Sequence, residues 1–168
     1  TTAIDAYLGP SLAGYLEALA ARCAEEGLPE PLVMRSSGGV ATIAEAAAHP
    51  AFALLSGPAA GAVGASLAAR AAGVDDAVSL DMGGTSTDVA LFAGELERTT
   101  DAVIAQVRVS APMLRIETVA AGGGSILSFG QGRLKVGPES AGAFPGPACY
   151  RHGGPLTVTD ANLLLGRI

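Results

Sequence analysis

The run Asp81-Met82-Gly83-Gly84-Thr85-Ser86-Thr87-Asp88 constrains this chain more than any other stretch. Ala77-Val78-Ser79-Leu80 before it and Val89-Ala90-Leu91-Phe92 after it both read as strand. A tight turn must therefore join two strands and carry two glycines, three hydroxyls and a carboxylate at each end. Glycines without Cβ let main-chain N–H groups approach a ligand and fan inward as an anion nest. Thr85, Ser86 and Thr87 add side-chain donors, and Asp81 and Asp88 can hold Mg²⁺ directly or through water. The pattern predicts a phosphate-and-magnesium cradle. The plain alternative is a hairpin with a polar turn; the paired aspartates and consecutive hydroxyls favour the cradle.

Composition narrows what such a cradle can serve. Hydrophobic residues make up 49% of 168 positions and charged ones 15%, so a folded core is expected rather than disorder. With 4% aromatics, no Trp and 23 glycines, that core must come from small and branched aliphatic side chains. The formal charge of −6 argues against nucleic acid or an anionic membrane as the main partner. Any phosphate must be bound locally, by amides and metal. Two cysteines and two histidines cannot supply a disulfide framework or a Cys/His zinc site, and a reducing cytoplasm is the default. Pro50 to Ala69 lacks charge over a bilayer-spanning length, but Ser56-Gly57-Pro58 interrupts it and Ala and Gly dominate the rest, which argues against a membrane helix.

In chain order, Ser11 is placed to cap a helix whose apolar face is Leu12, Tyr15, Leu16, Leu19 and Cys23, ended by Gly27 and Pro29. Leu32-Val33-Met34 reads as a strand running into Arg35-Ser36-Ser37-Gly38-Gly39, which is either a ligand loop or a simple turn. Thr42 with Glu45 forms a capping box for a short helix to Ala48, leaving His49 at its end. Phe52 to Leu55 reads as a strand. Ser56 then caps a helix with Pro58 in its first turn. Gly57, Ala60, Gly61, Gly64, Ala65 and Ala68 predict close packing along that helix, and its N-terminus could also face an anion.

Beyond the cradle, Ala93-Gly94 is a turn, and strands are expected at Glu95–Thr99, Ala105–Val109 and Leu114–Ala120. Gly122-Gly123-Gly124-Ser125 is a second glycine loop, which brings main chain close to something flat or charged, or simply forms a bulge or hairpin turn. Phe129 to Arg133 connects to a strand over Leu134–Val136. Gly137 to Pro155 is a long Gly/Pro-rich loop of the kind that often carries function, with Glu139, Cys149, Arg151 and His152 in it. Cys149 reads as a structural thiol, since no motif pairs it with a base. Thr157 to Asp160 caps a last helix from Ala161 to Leu165, whose early stop predicts a continuation into a larger protein.

Four blocks of this sequence, LLSGPAAGAVGA at 54–65, DMGGTSTDVALF at 81–92, TVAAGGGSI at 118–126 and GPESAGAFPGPACYRHGGPLTVTDANLLLGRI at 137–168, resemble the hydantoinase A/5-oxoprolinase family, a branch of the actin-like ATPase superfamily. The wording is closer to 5-oxoprolinase than to the other branches. The resemblance implies an α/β fold with a mixed sheet and β-hairpins, residues 1–55 ending one actin-like lobe and 56–168 starting the next. It implies an ATP-dependent opening of 5-oxoproline (a reaction of glutathione metabolism) or hydantoin rings through phosphorylation of the amide oxygen, with ATP and Mg²⁺. In that picture Asp81 and Asp88 are catalytic and hold the metal, and Gly83, Gly84, Thr85, Ser86 and Thr87 form the second phosphate loop. Gly122, Gly123 and Gly124 fall on the nucleotide or the cleft. A hydantoinase B-like subunit or domain is implied as partner, and the oligomeric state is left open, a homo-oligomer included.

The sequence also departs from the family. Its first phosphate loop is not among these residues, so half of a two-lobed cleft is expected, silent on its own. Arg115 and Glu117 stand where relatives more often have Asp and then His or Asn, which counts against a metal role for Glu117; Ala60 replaces a frequent Gly. The alternatives are the acetone/acetophenone carboxylase branch, where the same ATPase core activates a ketone or bicarbonate, and a non-enzymatic module, against which the intact Asp81 and Asp88 argue.

Overall fold

The computed structural model describes residues 1–104 and 107–168, which divide into two units. The first contains residues 1–79 and 90–116. Its first helix, α1 (Thr2–Glu25), starts well before Ser11 and runs through Pro10, so Ser11 is not its cap. A proline inside a helix removes one hydrogen bond and strains the preceding turn, but does not by itself end the helix. Leu16 is buried and Leu12 and Ala20 pack beside it, while Tyr15 faces outward, 64% exposed. Strands β1 (Val33–Met34) and β2 (Val40–Ala41) pair antiparallel around Arg35–Gly39, which is therefore a hairpin turn. Ser36 in that turn is buried, and its hydroxyl accepts from the Leu55 amide at 3.0 Å.

The capping box forms as predicted: Thr42 and Glu45 exchange both bonds at the start of α2 (Ile43–Ala48). Phe52 to Leu55 is not a strand. Pro50 sits at the first position of a 3₁₀ turn over Pro50–Ala53, where its fixed φ favours a helical bend, and the Ala51 amide donates to Asp5 at 2.8 Å. Helix α3 (Ser56–Ala71) follows, with Ser56 already helical and no side-chain cap. Its buried residues are Ala59, Ala62 and Ser66; the two alanines pack with Val63, Met34 and Leu114, and the Ser66 hydroxyl donates to the Val63 carbonyl at 2.8 Å. Of the expected small-residue stripe, Gly61 and Ala65 are half-buried, whereas Gly57, Ala60, Gly64 and Ala68 are exposed, and a Cβ on Gly57 or Gly64 would meet nothing within 4 Å. Among the described residues no helix is long and apolar enough to cross a membrane.

Strand β3 (Asp76–Met82) begins in this unit and ends in the second, and β4 (Thr87–Ala93) begins in the second and ends in this one. At the far end of β4, Phe92 and Ala93 pair antiparallel with β5 (Glu95–Leu96) through a turn at Gly94, whose φ is +72°. The expected strand at Glu95–Thr99 is split, its later part belonging to β6 (Arg98–Ile104). β6 pairs antiparallel with β7 (Val107–Leu114), where Val109, Ala111 and Met113 are buried in alternation. Of the strand expected over Ala105–Val109, Ala105 and Gln106 lie outside the described residues.

The second unit contains residues 80–89 and 117–168. Here β8 (Glu117–Val119) pairs antiparallel with the start of β4, matching Thr87 to Val119 and Asp88 to Thr118. Strands β9 (Ser125–Gly130) and β10 (Arg133–Ser140) form a hairpin longer than the sequence suggests. Gln131 and Gly132 make its two-residue turn, both at positive φ, as primed hairpin turns require. A 3₁₀ turn (Ala148–Tyr150) and α4 (Val158–Leu164), capped by Thr157 and Asp160, complete the unit. The chain is thus mixed α/β, its registered strand pairs all antiparallel and its sheets small.

Candidate phosphate-binding bend

The bend lies wholly within the second unit and is open. Residues Asp81 to Thr85 are exposed, and the turn is closed by the Gly83 amide donating to the Ser86 carbonyl at 2.9 Å. Behind it stands the second glycine loop. The Gly123 amide donates to the Gly83 carbonyl at 2.9 Å, and the Gly124 amide to the Gly84 carbonyl at 2.6 Å. That contact, main chain on main chain, explains why three glycines occur together. A Cβ on Gly122 would stand 2.7 Å from the Gly83 oxygen, one on Gly123 2.7 Å from the Thr159 hydroxyl, and one on Gly124 2.8 Å from the Gly84 oxygen.

These two bonds also aim the bend. In a trans peptide the carbonyl of one residue and the N–H of the next point in opposite directions. Anchoring the Gly83 and Gly84 carbonyls on Gly123 and Gly124 therefore turns the Gly84 and Thr85 amides away from the glycine loop. Among the described residues, the amides of Gly84, Thr85 and Ser86 and the hydroxyls of Thr85 and Ser86 have no partner in the chain. Consecutive amides with fixed direction are what an anion nest consists of.

The remaining predicted residues divide by role. Thr87 is buried and its hydroxyl donates to the Ala121 carbonyl at 2.6 Å, so it ties β4 to the strand-loop junction rather than offering a donor. Gly122 donates to the Ser125 hydroxyl at 3.0 Å, so all three loop glycines have their amides engaged inside the chain. Asp88 is half-buried, one oxygen accepting from the Thr118 hydroxyl at 2.6 Å, while Asp81 is exposed at the opposite end of the bend. Among the described residues no cluster of three or more His, Cys, Asp or Glu could hold a metal ion by itself. Two carboxylates flanking a bend of free donors fit Mg²⁺, which commonly takes one or two carboxylates and completes its shell with phosphate and water oxygens.

Sequence reasoning missed the residues that brace this arrangement. Thr159 gives both its amide and its hydroxyl to the Gly123 carbonyl, each at 2.8 Å. Asp160 accepts from the Cys149 amide at 2.7 Å, the Ala148 amide at 3.2 Å, and the Thr157 amide and hydroxyl at 2.7 and 2.9 Å. Burial opposes ionisation of Asp160, but donation from the Cys149 thiol and amide and from Thr157 outweighs it and holds the carboxyl well below the usual range. The same contact, with burial and the carboxylate charge, raises the Cys149 thiol. A thiol held protonated is a poor nucleophile, consistent with a structural role. His152 packs against Phe144 with the rings tilted at 54° and their centroids 5.8 Å apart. The capping motif at Thr157 was visible in the sequence; nothing local announced that Thr159 reaches back 36 residues.

Comparison with known proteins agrees with this architecture. The chain is 60% identical over 119 residues to the 5-oxoprolinase PfmaA of Pestalotiopsis fici, covering 69% of this chain and 9% of that protein. The crystal structure of ATP-dependent caprolactamase from Pseudomonas jessenii matches with TM-score 0.74 and 39% identity, over all of this chain and 25% of its own. The corresponding protein is described as subunit alpha. Nucleotide-free acetone carboxylase matches with TM-score 0.74 and 30% identity, over 91% of this chain and 22% of its own. This chain therefore spans a quarter or less of each of these three proteins. The hydantoinase/oxoprolinase family matches residues 1–168 without remainder, and the chain belongs to it.

Proposed function

We propose that this chain is an internal piece of an ATP-dependent hydrolase of cyclic amides, and that the bend from Asp81 to Asp88 holds the phosphates of ATP. The observation that carries this reading is the run of unpartnered amides at Gly84, Thr85 and Ser86, the first two exposed and fixed in direction from behind. Thr85 and Ser86 add hydroxyls, and Asp81 and Asp88 would hold Mg²⁺, with Thr118 orienting Asp88. Bound there, Mg²⁺ would neutralise phosphate charge during transfer. Phosphoryl transfer to the amide oxygen of 5-oxoproline or a hydantoin would make the ring carbon open to water. The protein's share is alignment and fixed donors. Gly122, Gly123 and Gly124 serve the nucleotide indirectly, by shaping the bend.

The same reading assigns residues 1–55 to the end of one actin-like lobe and 56–168 to the start of the next. Other parts of the full protein complete the site, and a hydantoinase B-like subunit or domain is the natural partner, in line with the subunit designation of the caprolactamase relative. With 5-oxoproline as substrate the reaction serves glutathione metabolism, and two free cysteines suit a cytoplasmic setting. Acetone carboxylase is the second reading, supported by an equal TM-score at lower identity. ATP turnover by the full-length protein, measured with 5-oxoproline, hydantoin, caprolactam and acetone in turn, decides between them. Stimulation by a cyclic amide and not by acetone is expected. Stimulation by acetone alone, or by none, would overturn the proposal.

A further inference from the structure

The bend is braced by a hydrogen-bonded relay of peptide groups that begins at Thr159. Its amide and hydroxyl converge on the Gly123 carbonyl, each at 2.8 Å. That carbonyl belongs to the same peptide unit as the Gly124 amide, which donates to Gly84 at 2.6 Å. The Gly84 carbonyl in turn shares its peptide with the unpartnered Thr85 amide. A second line runs alongside: the Ser125 amide donates to the Gly122 carbonyl at 3.1 Å, the Gly123 amide to the Gly83 carbonyl at 2.9 Å, and the Gly84 amide ends it. Both lines end on adjacent free donors. Each bond in such a series polarises the next, strengthening the terminal N–H as a donor to an anion.

We infer that Thr159 is a positioning residue for phosphate binding, setting the direction and donor strength of the Thr85 amide through Gly123, Gly124 and Gly84. This rests on the phosphate reading of the bend. Two features separate Thr159 from an ordinary helix residue. Its side chain is committed to a carbonyl 36 residues away, although its own amide already serves that carbonyl. Its hydroxyl also stands 2.7 Å from where a Gly123 Cβ would lie, so threonine and glycine are fitted to each other.

The test uses the full-length protein, with Thr159→Val removing the hydroxyl at nearly constant shape and Thr159→Ser retaining it. Loss of one hydrogen bond in the relay is expected to raise the KM for ATP roughly 3- to 10-fold while the KM for the cyclic amide stays unchanged. Thr159→Ser should bring the ATP KM back to within about twofold of the parent. An unchanged ATP KM in Thr159→Val, or equal rises in both KM values, overturns the relay. Asp88→Asn tests the underlying reading separately: if it leaves ATP affinity intact, the bend is not the phosphate site. Should Thr159→Val not fold, amide exchange in the parent protein decides. A non-hydrolysable ATP analogue should slow exchange at Gly123 and Gly124 together with Gly84 and Thr85, and protection confined to Gly84 and Thr85 refutes coupling.

Discussion

Replacing Asp160 should release the Gly/Pro-rich loop that precedes it, and the size of the effect follows from its contacts. One oxygen accepts from the Cys149 amide; the other gathers the Ala148 amide and both donors of Thr157. Losing an N-cap partner costs about 1 kcal/mol, and charge-assisted bonds to the loop amides contribute about 2 kcal/mol more after allowing for water at a half-exposed site. Asp160→Ala should thus weaken local structure by about 3 kcal/mol, equivalent to roughly 100-fold more frequent opening. Asp160→Asn should cost about 1–2 kcal/mol, because its amide nitrogen must face a donor wherever it is placed.

Hydrogen exchange of the full-length protein is the assay, read at Ala148, Cys149 and Thr157 and compared with the β9–β10 hairpin as an internal reference. Exchange at Ala148 and Cys149 in a folded Asp160→Ala variant within about twofold of the parent would falsify the argument. The pH dependence has a defined sign. The folded pKa of Asp160 lies below its ordinary 3.8, so its contribution is present above about pH 4 and fades as pH falls through the folded value. The folded pKa of Cys149 lies above its ordinary 9.0, so its contribution is present below that pH and fades as pH rises through the folded value. Loop protection should therefore be flat in the neutral range and decline at both extremes, and Cys149→Ser should blunt the alkaline decline.

Gly122→Ala places a methyl group 2.7 Å from the Gly83 oxygen and must separate the two loops, so ATP-dependent turnover of the full-length protein should be lost while Gly130→Ala, whose added Cβ meets nothing within 4 Å, leaves it intact. Gly64→Ala, with open space at an exposed position inside α3, should stabilise the protein by about 1 kcal/mol in chemical denaturation. Because two carboxylates flank the bend, chelating Mg²⁺ with EDTA should weaken ATP binding in calorimetry far more than raising salt from 50 to about 200 mM does.

What the sequence made legible was local. Thr42–Glu45 and Thr157–Asp160 each complete a capping box across three residues, and a motif of that span is visible without tertiary information. Strand β4 follows from the short apolar run Val89–Phe92, and the turns at Gly94 and Gly132 from glycines that adopt positive φ. Readings failed where local signals compete. Pro10-Ser11 imitates a helix start inside a helix that had already begun, and Phe52–Leu55 looks like a strand but has Pro50 bending it into a 3₁₀ turn. On α3 the small residues occupy more than one face, so composition could not say which face packs; Ala59, Ala62 and Ser66 are the ones that do.

The glycine loop shows why half of the site was readable and half was not. Gly83 and Gly84 announce close approach to a ligand, and so do Gly122 to Gly124, yet Gly122 and Gly124 lack a Cβ because the Gly83–Gly84 main chain stands there, while a Cβ on Gly84 would meet nothing within 4 Å. Neither set alone distinguishes a ligand from another loop, because a missing Cβ permits close approach without recording what approaches. The difference lies in the free N–H groups. The amides of Gly122 to Gly124 are engaged within the chain, whereas those of Gly84 to Ser86 have no partner there among the described residues. Donors held in position before an anion arrives need little reorganisation when it does, which is the condition for binding a polyanion on a chain that is itself acidic. A long-range hydroxyl at Thr159 is part of that preorganisation, and only the folded chain brings it there.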